Sequence, residues 1–143
     1  MSASGQYVVG VASYVYNSNN YGLTWSTNNA AGTRTFKIIA ISASGQYQIA
    51  CISSNGIGTL FSNNYGVSFT NLGPNVNSLI DVAMSASGQY QTIVVTNGSG
   101  SNNVFNSSNY GVTWTLNTNS SASGPWWNNV AISASGQYQV AIT

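Results

Sequence analysis

Charged side chains are almost absent from this chain of 143 residues, which contains Arg34, Lys37 and Asp81 but neither His nor Glu. A net charge of +1 provides no basic surface for nucleic acid or for an anionic membrane. Catalysis by a Ser–His–Asp or Cys–His arrangement requires a His, and cleavage of a glycosidic bond normally requires two carboxylates. We therefore expect no catalytic residue and no enzymatic activity.

Cysteine is equally scarce, because Cys51 is the only one in the sequence. A single Cys excludes an internal disulfide, and together with one Asp and no His it leaves too few ligands for a metal. We expect no metal site and no cofactor. Cys51 lies in the apolar run Gln48–Ile52, where a small buried side chain is the ordinary role and a reactive thiol is the alternative.

Long apolar runs are missing as well, since polar residues interrupt every apolar stretch after a few positions. No signal peptide or membrane-spanning helix is predicted, and we expect a soluble chain. Hydrophobic residues nevertheless make up 43% of the sequence. This content argues against disorder, which requires low hydrophobicity as well as polarity.

Two short motifs recur along the chain. The first is an octapeptide, Ser-Asn-Asn-Tyr-Gly-Leu-Thr-Trp in its first copy, whose copies are spaced 44 and 45 residues apart and begin at Ser18, Ser62 and Ser107. The second is Ser-Ala-Ser-Gly-Gln-Tyr, which begins at Ser2, Ser42, Ser85 and Ser133. This periodicity predicts tandem structural repeats in one segment, 1–143, with approximate bounds 2–41, 42–84, 85–132 and a partial repeat 133–143.

Each repeat is predicted to contain four short strands, A to D, because the runs between turn signals contain β-branched residues and show neither helix caps nor a long helical periodicity. The A strands are Phe36–Ile41, Leu79–Met84 and Trp127–Ile132. The B strands are Tyr7–Ala12, Tyr47–Ile52, Tyr90–Thr96 and Tyr138–Thr143. The C strands are Tyr14–Asn17, Thr59–Ser62 and Asn103–Asn106, and the D strands are Leu23–Ser26, Val67–Thr70 and Val112–Leu116.

The turns between these strands have specific signals. Ser-Ala-Ser-Gly is predicted to connect A to B, with its Gly at positive φ. The pairs Asn55-Gly56 and Asn97-Gly98 are typical of hairpins and fall between B and C. Four antiparallel strands in a period of 40 to 48 residues indicate an all-β fold made of β-propeller blades, about three per chain.

The octapeptide connects C to D and is expected to be a turn closed by side chains. Its Asn can bond its own backbone two residues on, its Gly permits positive φ, and its last residue is a large apolar anchor. The structural residues of the three copies are Ser18, Asn20, Gly22, Trp25; Ser62, Asn64, Gly66, Phe69; and Ser107, Asn109, Gly111, Trp114.

This octapeptide resembles the Asp-box, or BNR repeat, of β-propeller proteins, which reads Ser-x-Asp-x-Gly-x-Thr-Trp and lies on the C–D hairpin. Here Asn replaces the usual Asp, and Ser68-Phe69 ends the second copy. The family includes sialidases, other glycoside hydrolases, sortilin-type receptors and assembly factors, and the box is structural in them. The resemblance to sialidases implies three arginines, a Tyr–Glu nucleophile and an acid/base Asp. One Arg, one Asp and no Glu cannot supply that site.

The candidate binding residues are Trp126, Trp127, Asn128 and Asn129. Adjacent residues of a strand point to opposite faces, so one Trp is expected to pack and the other to present its ring to a neutral sugar. The alternative is that both rings are core anchors. Lys37 and Asp81 lie on A strands, which line the channel of a propeller, as solvated residues or as ligand contacts.

The predicted strands run B-C-D, A-B-C-D, A-B-C-D, A-B, which leaves the ring incomplete. Symmetric association would complete it, most simply as a homodimer with six or seven blades in which Trp127–Ile132 supplies an innermost strand to its partner. One B strand, Tyr7–Ala12 or Tyr138–Thr143, would then be displaced, unless the assembly is larger. The sequence thus favours a self-assembling structural segment, natural or engineered. The alternatives are a lectin-like module for neutral glycans and a protein-interaction propeller.

Overall fold

The computed structural model describes residues 1–53, 58–74, 76, 78–96, 102–118 and 126–143. It contains four antiparallel sheets that follow one another along the chain. Sheet 1 consists of β1 (Val8–Val11), β2 (Val15–Ser18) and β3 (Ser26–Asn28), and a short 3-10 helix, Asn29–Ala31, follows it. Sheet 2 consists of β4 (Phe36–Ile41), β5 (Gln48–Ile52), β6 (Thr59–Ser62) and β7 (Thr70–Asn71). Sheet 3 consists of β8 (Ser78–Met84), β9 (Gln91–Thr96), β10 (Asn102–Ser107) and β11 (Thr115–Leu116), and sheet 4 of β12 (Asn129–Ile132) and β13 (Gln139–Ile142).

The order of the strands matches the predicted series, so the all-β fold with four-stranded antiparallel sheets is confirmed. Within each sheet, neighbours in sequence are neighbours in space, as in β4-β5-β6-β7 and β8-β9-β10-β11. The first strands of successive sheets also contact one another, since β4 contacts β8, β8 contacts β12, and β1 contacts β4. The hairpin signals Asn55-Gly56 and Asn97-Gly98 lie outside the described residues.

The D strands begin later than predicted, and this is a correction. β3 begins at Ser26, where the prediction ended, and β7 and β11 begin at Thr70 and Thr115. The reason is that the octapeptide keeps its own hydrogen bonds past the Gly: Leu23 N–H donates to the C=O of Asn20 at 3.1 Å, and Thr24 N–H donates to Asn20 Oδ1 at 3.0 Å. Backbone that is held by the turn cannot pair with strand C.

The last A strand also begins later than predicted, at Asn129 in place of Trp127. Asn128 N–H still donates to the C=O of Ile142 at 2.8 Å, so pairing with β13 extends one residue further. The C=O of Trp127 instead accepts a hydrogen bond from Asn102 Nδ2 of sheet 3 at 2.8 Å. Trp127 is therefore bonded to sheet 3 and does not form the first residue of β12.

The core lies between successive sheets. One cluster between sheets 2 and 3 contains Ile49, Cys51, Phe61, Leu79, Val82, Ile93 and Val95. A second cluster includes residues of sheets 1 and 2, namely Val15, Ala31, Phe36, Ala50, Ile52 and Leu60. Cys51 is fully buried, and burial, with a smaller contribution from the charge of Asp81, raises the pKa of its thiol.

No helix in the described parts of the chain is long and apolar enough to span a membrane.

Candidate functional site

The octapeptide box is closed by a repeated set of side-chain hydrogen bonds. In the first copy Ser18 Oγ accepts the N–H of Gly22 at 2.9 Å and donates to Asn20 Oδ1 at 2.9 Å. Asn20 Oδ1 also accepts the N–H of Thr24, and its Nδ2 donates to Thr24 Oγ1 at 2.8 Å. The second and third copies repeat these bonds within 0.1 Å. The Asn therefore bonds the residue four positions on, and the prediction of a bond two positions on was wrong.

The box places its Tyr as well as its Gly in the left-handed region. Tyr21, Tyr65 and Tyr110 have φ of 63°, 60° and 62°, whereas the prediction assigned positive φ to the Gly alone. A side chain in this region costs roughly 1–2 kcal/mol, which is why few residues besides Gly adopt it. The hydrogen bonds of each box hold both residues in this conformation, and the rings of Tyr65 and Tyr110 pack on the preceding sheet.

The apolar residue that ends each box has a different environment in each copy. Trp114 is partly buried and packs on Phe61 with ring centroids 5.7 Å apart, and Phe69 packs against the cluster of sheets 1 and 2. Trp25 is 49% exposed, so the prediction of a buried anchor does not hold for the first copy. The Nε1 of Trp25 donates to the C=O of Gly22 at 3.0 Å, which fixes the ring beside its own box.

Successive sheets are joined by their A–B turns. Gly45 has φ of 84°, and Ser42 Oγ accepts the N–H of Tyr47 at 3.1 Å, which closes the predicted turn. A backbone hydrogen-bond ladder then links the four turns: Ala3 N–H donates to the C=O of Ala43 at 2.8 Å, Ala43 to Ala86 at 2.9 Å, and Ala86 to Ala134 at 3.0 Å. The repeated hexapeptide therefore holds neighbouring sheets in register.

The Tyr of each hexapeptide forms a second contact between sheets. Tyr7 of sheet 1 packs on Tyr65 of the box in sheet 2 with ring centroids 5.0 Å apart, and Tyr47 of sheet 2 packs on Tyr110 of sheet 3 at 4.6 Å. These tyrosines also cover the turn glycines of the following sheet, because a Cβ built on Gly45 would lie 2.7 Å from the ring of Tyr7. The regular spacing of the repeat tyrosines thus serves packing between sheets.

Asp81 connects sheets 3 and 4. It is 8% exposed, and its Oδ2 accepts the N–H of Val130 at 2.8 Å and Asn129 Nδ2 at 3.3 Å. Lys37 is exposed and occupies the register irregularity of β4, the position that Ile80 has in β8. The only acidic side chain of the sequence therefore forms structural hydrogen bonds, one of them with a backbone N–H of the neighbouring sheet.

The four predicted binding residues lie together at the start of sheet 4 but have separate roles. Trp126 is 63% exposed, whereas Trp127 is partly buried and lines a cavity of about 240 Å³ between sheets 3 and 4. Asn128 and Asn129 are exposed, and the amide nitrogen of Asn129 is used by Asp81. The ring of Trp126 is thus the part of this group that faces solvent most fully.

A second surface, which the sequence prediction missed, is the groove between sheets 1 and 2, with a volume of about 410 Å³. It is lined by Tyr7, Tyr65, the exposed ring of Trp25, and the buried amides of Asn17 and Gln48. Asn17 Oδ1 and Gln48 Oε1 are buried without a hydrogen-bond partner among the described residues. In the corresponding groove between sheets 2 and 3, of about 290 Å³, Phe61 stands at the place of Asn17.

The chain consists of sheets of up to four antiparallel strands, whose first strands contact one another and whose equivalent turns are hydrogen-bonded. This arrangement defines it as a segment of a β-propeller. The chain is similar to solved propellers. It matches the GH74 xyloglucanase from Xanthomonas campestris with a TM-score of 0.70 at 11% identity, over 94% of this chain and 24% of that chain. It matches YCF48 from Cyanidioschyzon merolae with a TM-score of 0.60 at 14% identity, over 94% of this chain and 47% of that chain.

A further match is YCF48 bound to a D1 peptide, with a TM-score of 0.56 at 16% identity, over 91% of this chain and 40% of that chain. The chain thus spans about a quarter of the xyloglucanase and less than half of either YCF48 structure. At these identities the likeness establishes the fold alone. No protein-family model matches the sequence, and no curated protein matches it either.

Proposed function

We propose that this chain is a non-enzymatic structural segment of a β-propeller that closes a ring by binding a second copy of itself. The observation that carries the proposal is the exposure of β13. All five residues of β5, which is the equivalent strand of sheet 2, are buried. In β13, Val140 and Ile142 are 58% and 55% exposed, and Tyr138 just before it is 70% exposed.

The difference arises from what surrounds each strand. β5 is paired on both edges, by β4 and β6, and it is covered by sheets 1 and 3, whereas β13 pairs with β12 alone among the described strands. Burying a Val or Ile side chain contributes roughly 1.5–3 kcal/mol, so these apolar side chains favour a further sheet. An unpaired, apolar strand edge is also a site for pairing with another chain.

The absence of enzymatic activity is supported by chemistry and not by the fold, since propellers are found among enzymes. Asp81 carries the only carboxylate side chain, and two hydrogen bonds hold it between sheets. No His, Glu or second Asp is present to act with it.

The test is the molar mass in solution, measured by light scattering during size-exclusion chromatography. We expect twice the chain mass of 14.9 kDa. Val140→Lys places a charge on the exposed face of β13 and should shift the mass toward that of one chain. Val112→Lys is the matched control, because Val112 is 57% exposed in a box turn, and it should leave the mass unchanged. A wild-type chain that elutes as a folded species of 14.9 kDa contradicts the proposal.

A second candidate function, recognition of a neutral sugar, is favoured by the groove between sheets 1 and 2. The buried oxygens of Asn17 and Gln48 require hydrogen-bond donors, and the ring of Trp25 offers an apolar surface on which a sugar can stack. Binding to a glycan array that is lost in Trp25→Ala and kept in Trp126→Ala would support this groove. Loss in Trp126→Ala alone would support the Trp126 surface, and no binding of the wild-type chain would refute both.

A further inference from the structure

We call the contact between the hexapeptide Tyr of one sheet and the turn of the next sheet a joint. The joint between sheets 3 and 4 repeats the joints between the earlier sheets. Tyr90 packs on Gly136 of sheet 4 as Tyr7 packs on Gly45 of sheet 2. Tyr7 and Tyr47 each have a box tyrosine against them, at 5.0 Å and 4.6 Å. Tyr90 has no aromatic partner among the described residues. Tyr90 therefore occupies the position at which Tyr7 and Tyr47 receive a box tyrosine.

The surface beside Tyr90 has the same polar residues as the joint of sheets 1 and 2, and Asn106 Oδ1 there also accepts a hydrogen bond from Thr92 Oγ1 at 3.0 Å. At the joint of sheets 1 and 2, Asn28 Nδ2 donates to the C=O of Gly66, and the amide of Asn17 lies against the same Gly. The strand register places Asn106 of sheet 3 where Asn17 stands, because Asn17 pairs with Ser26 and Asn106 with Thr115. Asn117 follows Thr115 by two residues, as Asn28 follows Ser26.

The open edge of β13 has the register that a C strand requires. In sheet 2, β5 pairs with β6 so that Gln48 is opposite Ser62. In sheet 1, β2 pairs with β1 so that Val8 is opposite Ser18. β1 and β13 both follow the hexapeptide Ser-Ala-Ser-Gly-Gln-Tyr. β13 can therefore pair with a β2 strand in the same register, with Gln139 opposite Ser18.

β13 is also held in place more firmly than β1. Gln48 and Gln91, at the first position of β5 and β9, donate through Nε2 to the C=O of Gly45 and Gly88 at 3.4 Å and 2.9 Å. Gln139 occupies the same position in β13, where its Oε1 accepts a hydrogen bond from Thr92 Oγ1 of sheet 3 at 2.8 Å, whereas the apolar side chain of Val8 in β1 accepts none. β1 further contains Gly10 where β13 has Ala141, and a Gly within a strand weakens it.

We propose that the β2–β3 hairpin of a second copy completes sheet 4, so that β12, β13, β2 and β3 form one four-stranded sheet and β1 is displaced. Tyr21 of that copy packs on Tyr90, and its Gly22 lies against Asn106 and Asn117. Two copies joined in this way at both ends form six four-stranded sheets, within the usual range of four to eight. The inference rests on the proposed ring closure and specifies which surfaces form it.

The experiment is cross-linking by a short bismaleimide in the variant Tyr21→Cys/Tyr90→Cys. Cys51 is fully buried, so the wild-type chain provides a background without cross-links. Tyr47→Cys/Tyr110→Cys is the positive control within one chain, because those rings are 4.6 Å apart. Ala3→Cys/Ala134→Cys is the matched negative control, because both residues are exposed and their turns would be neighbours only if the whole of sheet 1 stacked on sheet 4.

We expect a covalent dimer on a denaturing gel from Tyr21→Cys/Tyr90→Cys and none from Ala3→Cys/Ala134→Cys. The opposite pattern would mean that the whole of sheet 1 stacks on sheet 4, which overturns this joint and leaves ring closure standing. A dimer by light scattering that yields neither product overturns the joint as well. A folded monomer overturns the joint and the proposed function together.

Amide hydrogen exchange of the unmodified chain tests the same joint without substitution. The amides of β13 should exchange as slowly as those of β5, and those of β1 should exchange rapidly. Rapid exchange in β13 with slow exchange in β1 overturns the proposed choice of strand.

Discussion

Replacement of Gly88 by Ala tests how tightly the hexapeptide turns hold neighbouring sheets together. Gly88 has φ of 81°, and a Cβ at this position would lie 2.8 Å from the Cβ of Tyr47. Two penalties follow. The left-handed conformation costs an Ala roughly 1–2 kcal/mol, and overpacking a well-packed contact typically costs a further 1–3 kcal/mol.

Gly5→Ala separates the two penalties. Gly5 occupies the same place in the first hexapeptide with φ of 76°, but the atom nearest to its built Cβ is Tyr21 Cδ1 at 3.7 Å, an ordinary contact. Gly5→Ala should therefore show at most the backbone penalty. We expect Gly88→Ala to be less stable than Gly5→Ala by about 1–3 kcal/mol.

The assay is urea denaturation followed by tryptophan fluorescence, with all variants at one protein concentration because association shifts apparent stability. Equal midpoints for Gly88→Ala and Gly5→Ala would refute the reasoning, since they would show that Tyr47 moves aside at no cost. A lower midpoint for Gly5→Ala would refute it as well.

Two other single residues give sharp expectations. Asp81→Ala leaves the partly buried N–H of Val130 without its acceptor and should lower the free energy of unfolding by about 1–3 kcal/mol in urea denaturation, whereas exposed Lys37→Ala should change it by less than about 0.5 kcal/mol. Because burial raises the pKa of the Cys51 thiol, only the unfolded chain releases that proton above the ordinary thiol pKa of about 8.5. Stability should therefore fall more steeply above that pH in the wild-type chain than in Cys51→Ala, by up to about 1.4 kcal/mol per pH unit, and identical slopes would contradict the assignment. Cys51 should also resist maleimide until the chain unfolds.

The parts of the fold that local sequence determines could be predicted. β4 begins and ends at the predicted residues, because the β-branched run is followed at once by a turn whose Gly is at positive φ. The D strands could not be placed, because the residues after Gly22 are β-formers by composition but are bound by the side chain of Asn20. Tyr21 shows the same limit, since its positive φ depends on hydrogen bonds made by its neighbours.

The contacts between sheets could not be predicted from a repeat pattern. The three boxes are nearly identical in sequence, yet Trp25 is 49% exposed and Trp114 packs on Phe61. The difference depends on the residues that a neighbouring sheet brings to each box. For the same reason the hydrogen bonds of Asp81 with Asn129 and Val130 gave no signal in the sequence.

The hydrogen bonds that link the four hexapeptide turns all run in one sense, with each N–H donated to the next turn along the chain. The peptide dipoles of Ala3, Ala43 and Ala86 therefore align and polarise one another, as they do along a helix. One end of this row presents the N–H of Ala134 and carries partial positive charge, whereas the other end presents a carbonyl oxygen and carries partial negative charge. The row of turns therefore has a direction. Two N–H ends cannot form a hydrogen bond with each other, and neither can two carbonyl ends, so any unit that is added through these turns must have the same orientation as the one before it.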